Sequence, residues 1–201
     1  MGWSVQESNE FYQTYADLYD QETSKETYPA PHIISLWVHE YTQNAKLATP
    51  KILDVGCGTG QSSQIFFSEK NSYQVTGIDA SPQMLGVAKK YPFFKLICQD
   101  IQLPFDLDTF DAILCVGVLD FVADIEQMLA RFKAHLQPQR CIGITIPATE
   151  NESLNFMTSL QIEEMLSRLD LKVIKQEKFL GYQDSETGLE TLYWGLLLTQ
   201  I

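Results

Sequence analysis

The sequence predicts an α/β fold: one doubly wound sheet of seven mostly parallel strands, the last strand antiparallel, with helices on both faces. Two observations carry this. From Lys51 onward, short apolar runs alternate with segments of helical spacing, the pattern of βαβ units. Runs such as "KILDV" and "CIGITIP" are continuous rather than alternating, which suits strands covered on both sides.

The elements follow in order. Phe11, Tyr12, Tyr15, Leu18 and Tyr19 mark one helical face, and after the break "YPAPH" Ile33, Ile34, Trp37, Val38 and Tyr41 mark another. "KILDV" is the first strand, three glycines follow, and "GQSSQIFFSE" reads as a helix. "YQVTGID" is the second strand, leading into "SPQMLGVAKK" with Ser81 as N-cap and Pro82 at the first helical position. "FKLICQD" and "FDAILCVGV" are strands three and four. Ile125, Met128, Leu129, Phe132 and Leu136 then stripe a helix that Asp124 caps and Pro138 stops. "CIGITIP" is strand five, and Thr158 with Gln161 forms a capping box for the next helix. The strands "LKVIKQEKFL" and "TLYWGLLLTQI" are joined by only "GYQDSETGLE". That is too short for the crossover a parallel pair requires, so these two run antiparallel. Residues 1–201 read as one domain, with 1–48 an N-terminal helical lid and 49–201 the core.

Composition narrows the partners. A formal charge of −12 with no basic stripe disfavours nucleic acid. No apolar run is long enough to span a bilayer, and no secretory signal is visible, so the expected location is the cytoplasm. Cys57, Cys98, Cys115 and Cys141 lack metal-ligand spacing. Three of them lie in strand-like runs, where free cysteine acts as a small buried hydrophobe. No metal is expected, and the oligomeric state is not readable.

In open parallel sheets, ligands bind outside the carboxyl ends of the strands. The first strand ends at Asp54-Val55 and delivers Gly56, Cys57, Gly58, Thr59 and Gly60; the second ends at Asp79, the third at Asp100, and the fourth near Val116–Asp120. An acid closing the second strand can accept from both hydroxyls of a ribose. Glycines let a ligand approach the backbone, and amides at a helix start favour an anionic group such as a carboxylate. A dinucleotide fingerprint would place its third glycine at position 61, which is Gln. Asp54 beside the loop would repel a pyrophosphate but suits an ammonium or sulfonium. A ribose-bearing cationic ligand without phosphate is S-adenosylmethionine.

Here the chain resembles class I S-adenosylmethionine-dependent methyltransferases, with their Rossmann-like sheet. "LDVGCGTG", "VTGIDASPQML", "CQDIQLPF", "FDAILCVGVLDFVAD" and "FKAHLQPQRCIGITIP" are similar to five successive family motifs. "YADLYDQ" and "YPAP" resemble the small-molecule branch, including ubiquinone-biosynthesis-like and Williams–Beuren-region-like enzymes. The resemblance implies a small-molecule methyl acceptor, with S-adenosylhomocysteine as the cofactor product. It implies that Gly56, Cys57, Gly58 and Gly60 lie along the methionine part and that Asp54 steadies the loop and the amino group. Asp79 would hold the ribose, with Ala80 and Met84 near the adenine. Asp100 would meet the adenine amino group, with Ile101 over the ring. Val116 and Gly117 would floor the sulfonium end, and Tyr15 and Tyr19 would close over it.

Asp120, in the loop where relatives carry His or Glu, is the expected base or acceptor-orienting group; the plain alternative is a capping or solvent acid. No NPPY-like tetrapeptide follows strand four, which argues against exocyclic amines of bases and Gln or Asn side chains as acceptors. Two other readings stay open: a non-catalytic cofactor-binding or partner-regulating protein, and an NAD(P)-dependent oxidoreductase, which Gln61 and Asp54 disfavour.

Overall fold

The computed structural model describes residues 16, 18–21, 23, 28–68, 72–148, 156–183 and 190–201. After a helical segment within residues 16–21, the elements are α1 (Ala30–Asn44), β1 (Lys51–Val55), a 3-10 helix (Gln61–Phe67), β2 (Gln74–Asp79) and α2 (Pro82–Ala88). There follow β3 (Lys95–Cys98), β4 (Phe110–Cys115), a 3-10 turn (Leu119–Phe121), α3 (Ile125–Ala134), β5 (Leu136–Pro147), α4 (Ser159–Arg168), β6 (Leu171–Gln183) and β7 (Glu190–Gln200).

The seven strands form one sheet in the order β3-β2-β1-β4-β5-β7-β6. β1 through β5 pair in parallel, and β7 runs antiparallel to both β5 and β6. The strand order reverses between β1 and β4, which places the crevice at their carboxyl ends.

Strand alternation divides the apolar core into two layers. Ile52, Val75, Ala112, Leu114, Cys141 and Leu197 face α1 and Phe66, while Leu53, Ile78, Ile113, Ile142, Ile144, Leu196 and Leu198 face α3 and α4. Local signals set the helix starts. Ser81 accepts from the Met84 amide, Asp124 from the Gln127 amide, and Thr158 with Gln161 closes a capping box.

Four details depart from the sequence reading. The helix expected to run to Pro138 ends at Ala134, and Pro138 lies inside β5, whose pairing with β4 begins at Leu136↔Phe110. His135 closes the helix through its amide before proline can act. The segment after the glycines is a tight 3-10 helix. Leu18 is exposed while Ala16 is buried, so the packed face of the first helical segment differs from the expected stripe, whose Phe11, Tyr12 and Tyr15 lie outside the described residues. Cys98 is exposed because β3 is an edge strand, whereas Cys57, Cys115 and Cys141 are buried. Among the described residues, no helix is long and apolar enough to cross a membrane, and no His, Cys, Asp and Glu group could hold a metal.

Candidate functional site

The glycine loop answers a backbone requirement first. Gly56, Gly58 and Gly60 have φ of 69°, 52° and 92°, values that L side chains rarely adopt. The Gly56 and Cys57 amides both donate to the Ile78 carbonyl, at 2.8 and 3.0 Å, which seats the loop on the end of β2. Asp79 fastens it from the same strand. One carboxylate oxygen accepts the Gly58 amide at 2.8 Å and the other accepts the Ser81 amide at 2.8 Å. An ionised carboxylate has about four lone-pair sites, so this half-buried group retains capacity for two ligand hydroxyls. Burial raises the Asp79 pKa, and the two amides oppose that rise.

Asp54 lies beneath the loop. It is 1% exposed and accepts the Ser63 hydroxyl at 2.6 Å, joining β1 to the 3-10 helix. Burial pushes its pKa up to about 7; the Ser63 bond works against this and the Asp79 charge adds to it. Met84 is buried with its methyl against the loop, 3.2 Å from where a Cβ at Gly58 would lie. Cys57 is buried, and desolvation pushes its thiol far up, so it is not a thiolate nucleophile.

The neighbouring loops are tied together. Asp100 accepts the Gln102 amide at 2.8 Å, and the Gln102 side chain accepts the Ala123 amide at 2.9 Å, linking the loops after β3 and β4. Arg131 of α3 donates to the carbonyls of Ile101 and Leu103 at 2.8 and 2.9 Å. Ala80 follows Asp79 half-buried, and its carbonyl accepts the Cys98 thiol. At the end of β4, Val116 is buried and the Gly117 amide donates to the Thr145 hydroxyl of β5 at 2.8 Å.

Asp120 stands three residues beyond Gly117 in the 3-10 turn. It is neither a helix cap nor a solvent acid: it is 2% exposed, and its Oδ2 accepts the hydroxyl of Tyr193 on β7. Its Oδ1 has no hydrogen-bond partner among the described residues. Burial pushes the carboxyl up to about 6, opposed first by the Tyr193 hydroxyl and then by the backbone amide of Asp120 itself.

The N-terminal helical segment reaches this edge through Asp20. Its carboxylate accepts from the Thr59 hydroxyl, from the Gln61 side-chain amide at 3.0 Å and from Lys90 at 2.6 Å. Tyr19 is half-buried beside it, and its carbonyl accepts the Thr23 amide at 2.8 Å; Tyr15 lies outside the described residues. Tyr28 extends over the end of β4, where a Cβ on Gly117 would overlap its hydroxyl. A cleft of about 410 Å³ opens between these N-terminal residues and the 3-10 helix, lined in part by Asp20, Tyr28, His32, Gln61 and Tyr91.

The structure thus gathers Asp54, the three glycines, Asp79 and Met84 around one loop, with Asp100, Gly117 and Asp120 on adjoining loops. Sequence reasoning does not reach Asp20, Tyr28, Thr145 or Tyr193. Ser63 offers only a weak signal, as a hydroxyl in the first turn of the helix after the glycine loop, nine residues beyond the acid that β1 buries. The donor set is acidic, and Lys90, a cation close to the loop, is already paired with Asp20. This chemistry fits a cationic ribose-bearing ligand better than a pyrophosphate.

Comparison with known proteins bears on the fold that carries this site. Residues 53–142 match the family described as a methyltransferase domain. Magnesium protoporphyrin IX methyltransferase from Synechocystis PCC 6803, solved with bound S-adenosylmethionine, superposes with a TM-score of 0.69 over 96% of each chain, at 15% identity. The chain carries a class I S-adenosylmethionine-dependent methyltransferase fold. The same fold aligns over 99% of this chain and 97% of the [4+2]-cyclase SpnF, with a TM-score of 0.74 at 17% identity. The ubiquinone biosynthesis O-methyltransferase of Coxiella burnetii is 34% identical over 102 residues, 48% of this chain and 43% of that protein. The chain spans less than half the length of the curated relatives it matches. The methyltransferase-domain match covers the glycine loop, Asp79, Asp100 and Asp120, and stops before Tyr193.

Proposed function

We propose that this protein transfers a methyl group from S-adenosylmethionine to a small-molecule acceptor, releasing S-adenosylhomocysteine. The observation that carries the reading is the Asp79 carboxylate, fastened against Gly58 at the carboxyl edge of β2 with lone pairs left for a ribose. The loop of Gly56, Cys57, Gly58 and Gly60 would flank the methionine portion. Ala80, Met84, Asp100 and Ile101 would surround the adenine, and Val116 and Gly117 would floor the reactive end. Asp54 acts on this site by anchoring the loop from below. When bound, the cofactor supplies an electrophilic methyl on a sulfonium that is its own leaving group.

The protein's part is to position the acceptor, exclude water and handle a proton. Tyr28 over Gly117, and the N-terminal segment with Tyr15 and Tyr19, would close the site. Asp120 would accept the proton or orient the acceptor. The similarity to a ubiquinone biosynthesis O-methyltransferase supports a small-molecule acceptor in that branch. The cytoplasmic setting belongs to the same proposal, supported by four unpaired cysteines.

Calorimetry with S-adenosylmethionine, S-adenosylhomocysteine and NADH tests the cofactor. Saturable binding of the first two and none of NADH is expected; no binding of either sulfur compound ends the proposal. Because the fold is shared with a cyclase, a second measurement follows the label of methyl-tritiated cofactor into acceptors. Tight binding without transfer across a broad panel would favour the non-catalytic reading.

A further inference from the structure

Among the described residues, Asp120 Oδ1 is the buried side-chain oxygen that has no hydrogen-bond partner. A carboxylate oxygen sealed from water without a partner is costly, and in native proteins such atoms call for a specific explanation. Its partner oxygen is held by Tyr193, which is 6% exposed. The ring of Tyr193 lies where a side chain on Gly181 of β6 would have to be, so glycine at 181 is what lets the tyrosine occupy this place.

Strand parity puts this pair on a particular side of the sheet. Tyr193, Gly195 and Leu197 share one face of β7, and Leu197 belongs to the layer packed on α1. Thr145 pairs with Gly195, and Pro147 with Tyr193, at the carboxyl end of β5. Asp120, Tyr193, Thr145, Gly117 and the covering Tyr28 therefore converge on the α1 side of the carboxyl edge. The loop after β4 is moored twice, to β5 through Thr145 and to β7 through Tyr193.

We propose that Tyr193 is the positioning residue for Asp120, and that the pair equips the site for an acceptor whose attacking atom is a hydroxyl of phenol or enol type. The assignment rests on the methyltransferase reading above. Tyr193 spends its O–H on Oδ2, which fixes the carboxylate and leaves Oδ1 for the acceptor proton once Tyr28 withdraws from the floor. In the transfer, the acceptor oxygen forms the new bond to the methyl carbon, the sulfur keeps the electron pair of the broken S–C bond, and the hydroxyl proton passes to Oδ1. An attacking atom without a proton would leave Oδ1 unsatisfied. An alkyl hydroxyl would be too weakly acidic for a carboxylate base. The ionisable groups facing Asp120 are the Tyr193 hydroxyl from β7 and the Cys115 thiol from β4, whose own pKa desolvation raises with help from the Asp54 and Asp120 charges. Burial raises the Asp120 pKa to about 6, which lets it ionise yet remain a usable base at neutral pH.

The test uses the cofactor-free full chain labelled with γ-13C aspartate, with the Asp120 resonance assigned by Asp120→Asn. In wild type it should titrate well above ordinary aspartate, and Tyr193→Phe should move the midpoint up by about one unit through loss of a hydrogen bond to the charged form. Titration in the ordinary carboxylate range, or no response to a folded Tyr193→Phe, overturns the pair. In wild type with S-adenosylhomocysteine, phenol should shift the Asp120 signal and anisole should not. Equal effects, or none from phenol, overturn the hydroxyl assignment. If S-adenosylhomocysteine itself fails to bind, the methyltransferase reading fails, while the cofactor-free titration still decides the Asp120–Tyr193 pair.

Discussion

The Ser63 hydroxyl donates to the Asp54 carboxylate at 2.6 Å, joining two buried groups across the glycine loop. The consequence is a definite sign in pH. Asp54 has a folded pKa of about 7, above its ordinary value. Its contribution is fully present below the ordinary value and is lost as pH rises through about 7. Asp120, raised to about 6, acts in the same direction. Urea midpoints measured between about pH 5 and about pH 8 should fall with rising pH. Asp54→Asn should flatten the fall, and Ser63→Ala should steepen it by removing the donor that favours the charged form. An unchanged slope in Asp54→Asn would show that the burial of this carboxyl does not govern stability.

Asp79 combines a structural duty with the proposed ribose contact. Both oxygens accept backbone amides, so an amide side chain cannot substitute: in Asn the NH2 would confront one of those N–H groups. Asp79→Asn should therefore lose affinity for S-adenosylhomocysteine nearly as severely as Asp79→Ala. The expected loss is at least tenfold, consistent with hydrogen bonds to charged groups worth about 1.5–3 kcal/mol each. Calorimetry of the two variants checks it, and a mild Asn variant would remove the charge-specific role.

Asp20 gathers Thr59, Gln61 and Lys90 at the glycine loop, and its geometry is that of a latch for the N-terminal segment. Burial alone would push the Asp20 carboxyl up, but hydrogen bonds from Lys90, Thr59 and Gln61 outweigh it and hold the group below its usual range. The ion pair is partly exposed, so Asp20→Ala should lower global stability by less than about 1 kcal/mol. The local effect should be larger. Amide exchange in residues 18–21 and 23 should accelerate at neutral pH while β1 and β4 remain protected, and the cofactor should dissociate faster. Hydrogen exchange identical to wild type in that segment would sink the latch.

The parts of the fold visible in the sequence are those decided locally. Ser81, Asp124 and Thr158 sit where their capping chemistry puts them, and continuous apolar runs mark the buried strands. The short link between β6 and β7 implies their antiparallel pairing, but nothing local says that β7 inserts between β5 and β6. That placement is a long-range pairing, from Cys141↔Thr199 to Pro147↔Tyr193, which no local pattern encodes. The candidate site divides in the same way. Asp54, the glycines, Asp79 and Asp100 are legible because strand ends and backbone constraints announce them. Tyr193 is not: it lies 73 residues from Asp120 in sequence, in an aromatic-rich strand whose alternation alone explains a tyrosine. Asp20 lies 39 residues before Thr59, and no spacing rule relates the two.

The closure over β4 can be tested through two residues that exclude each other's bulk. Gly117 has φ of 69°, so alanine there incurs about 1–2 kcal/mol of left-handed strain. Its Cβ would also overlap the Tyr28 hydroxyl, the far end of a side chain that can swing away. Gly117→Ala should therefore destabilise by backbone strain and displace Tyr28 from the floor. In a Tyr28→Phe background the oxygen that collides is gone and the remaining ring atoms are 3.3 Å or more from the new Cβ, so the second part of the cost should shrink. A double-mutant cycle of unfolding free energies should show a coupling of at least about 0.5 kcal/mol, with the double variant less destabilised than the sum. Strict additivity would mean that Tyr28 does not rest on Gly117 in solution, and that the site stands open before any ligand arrives.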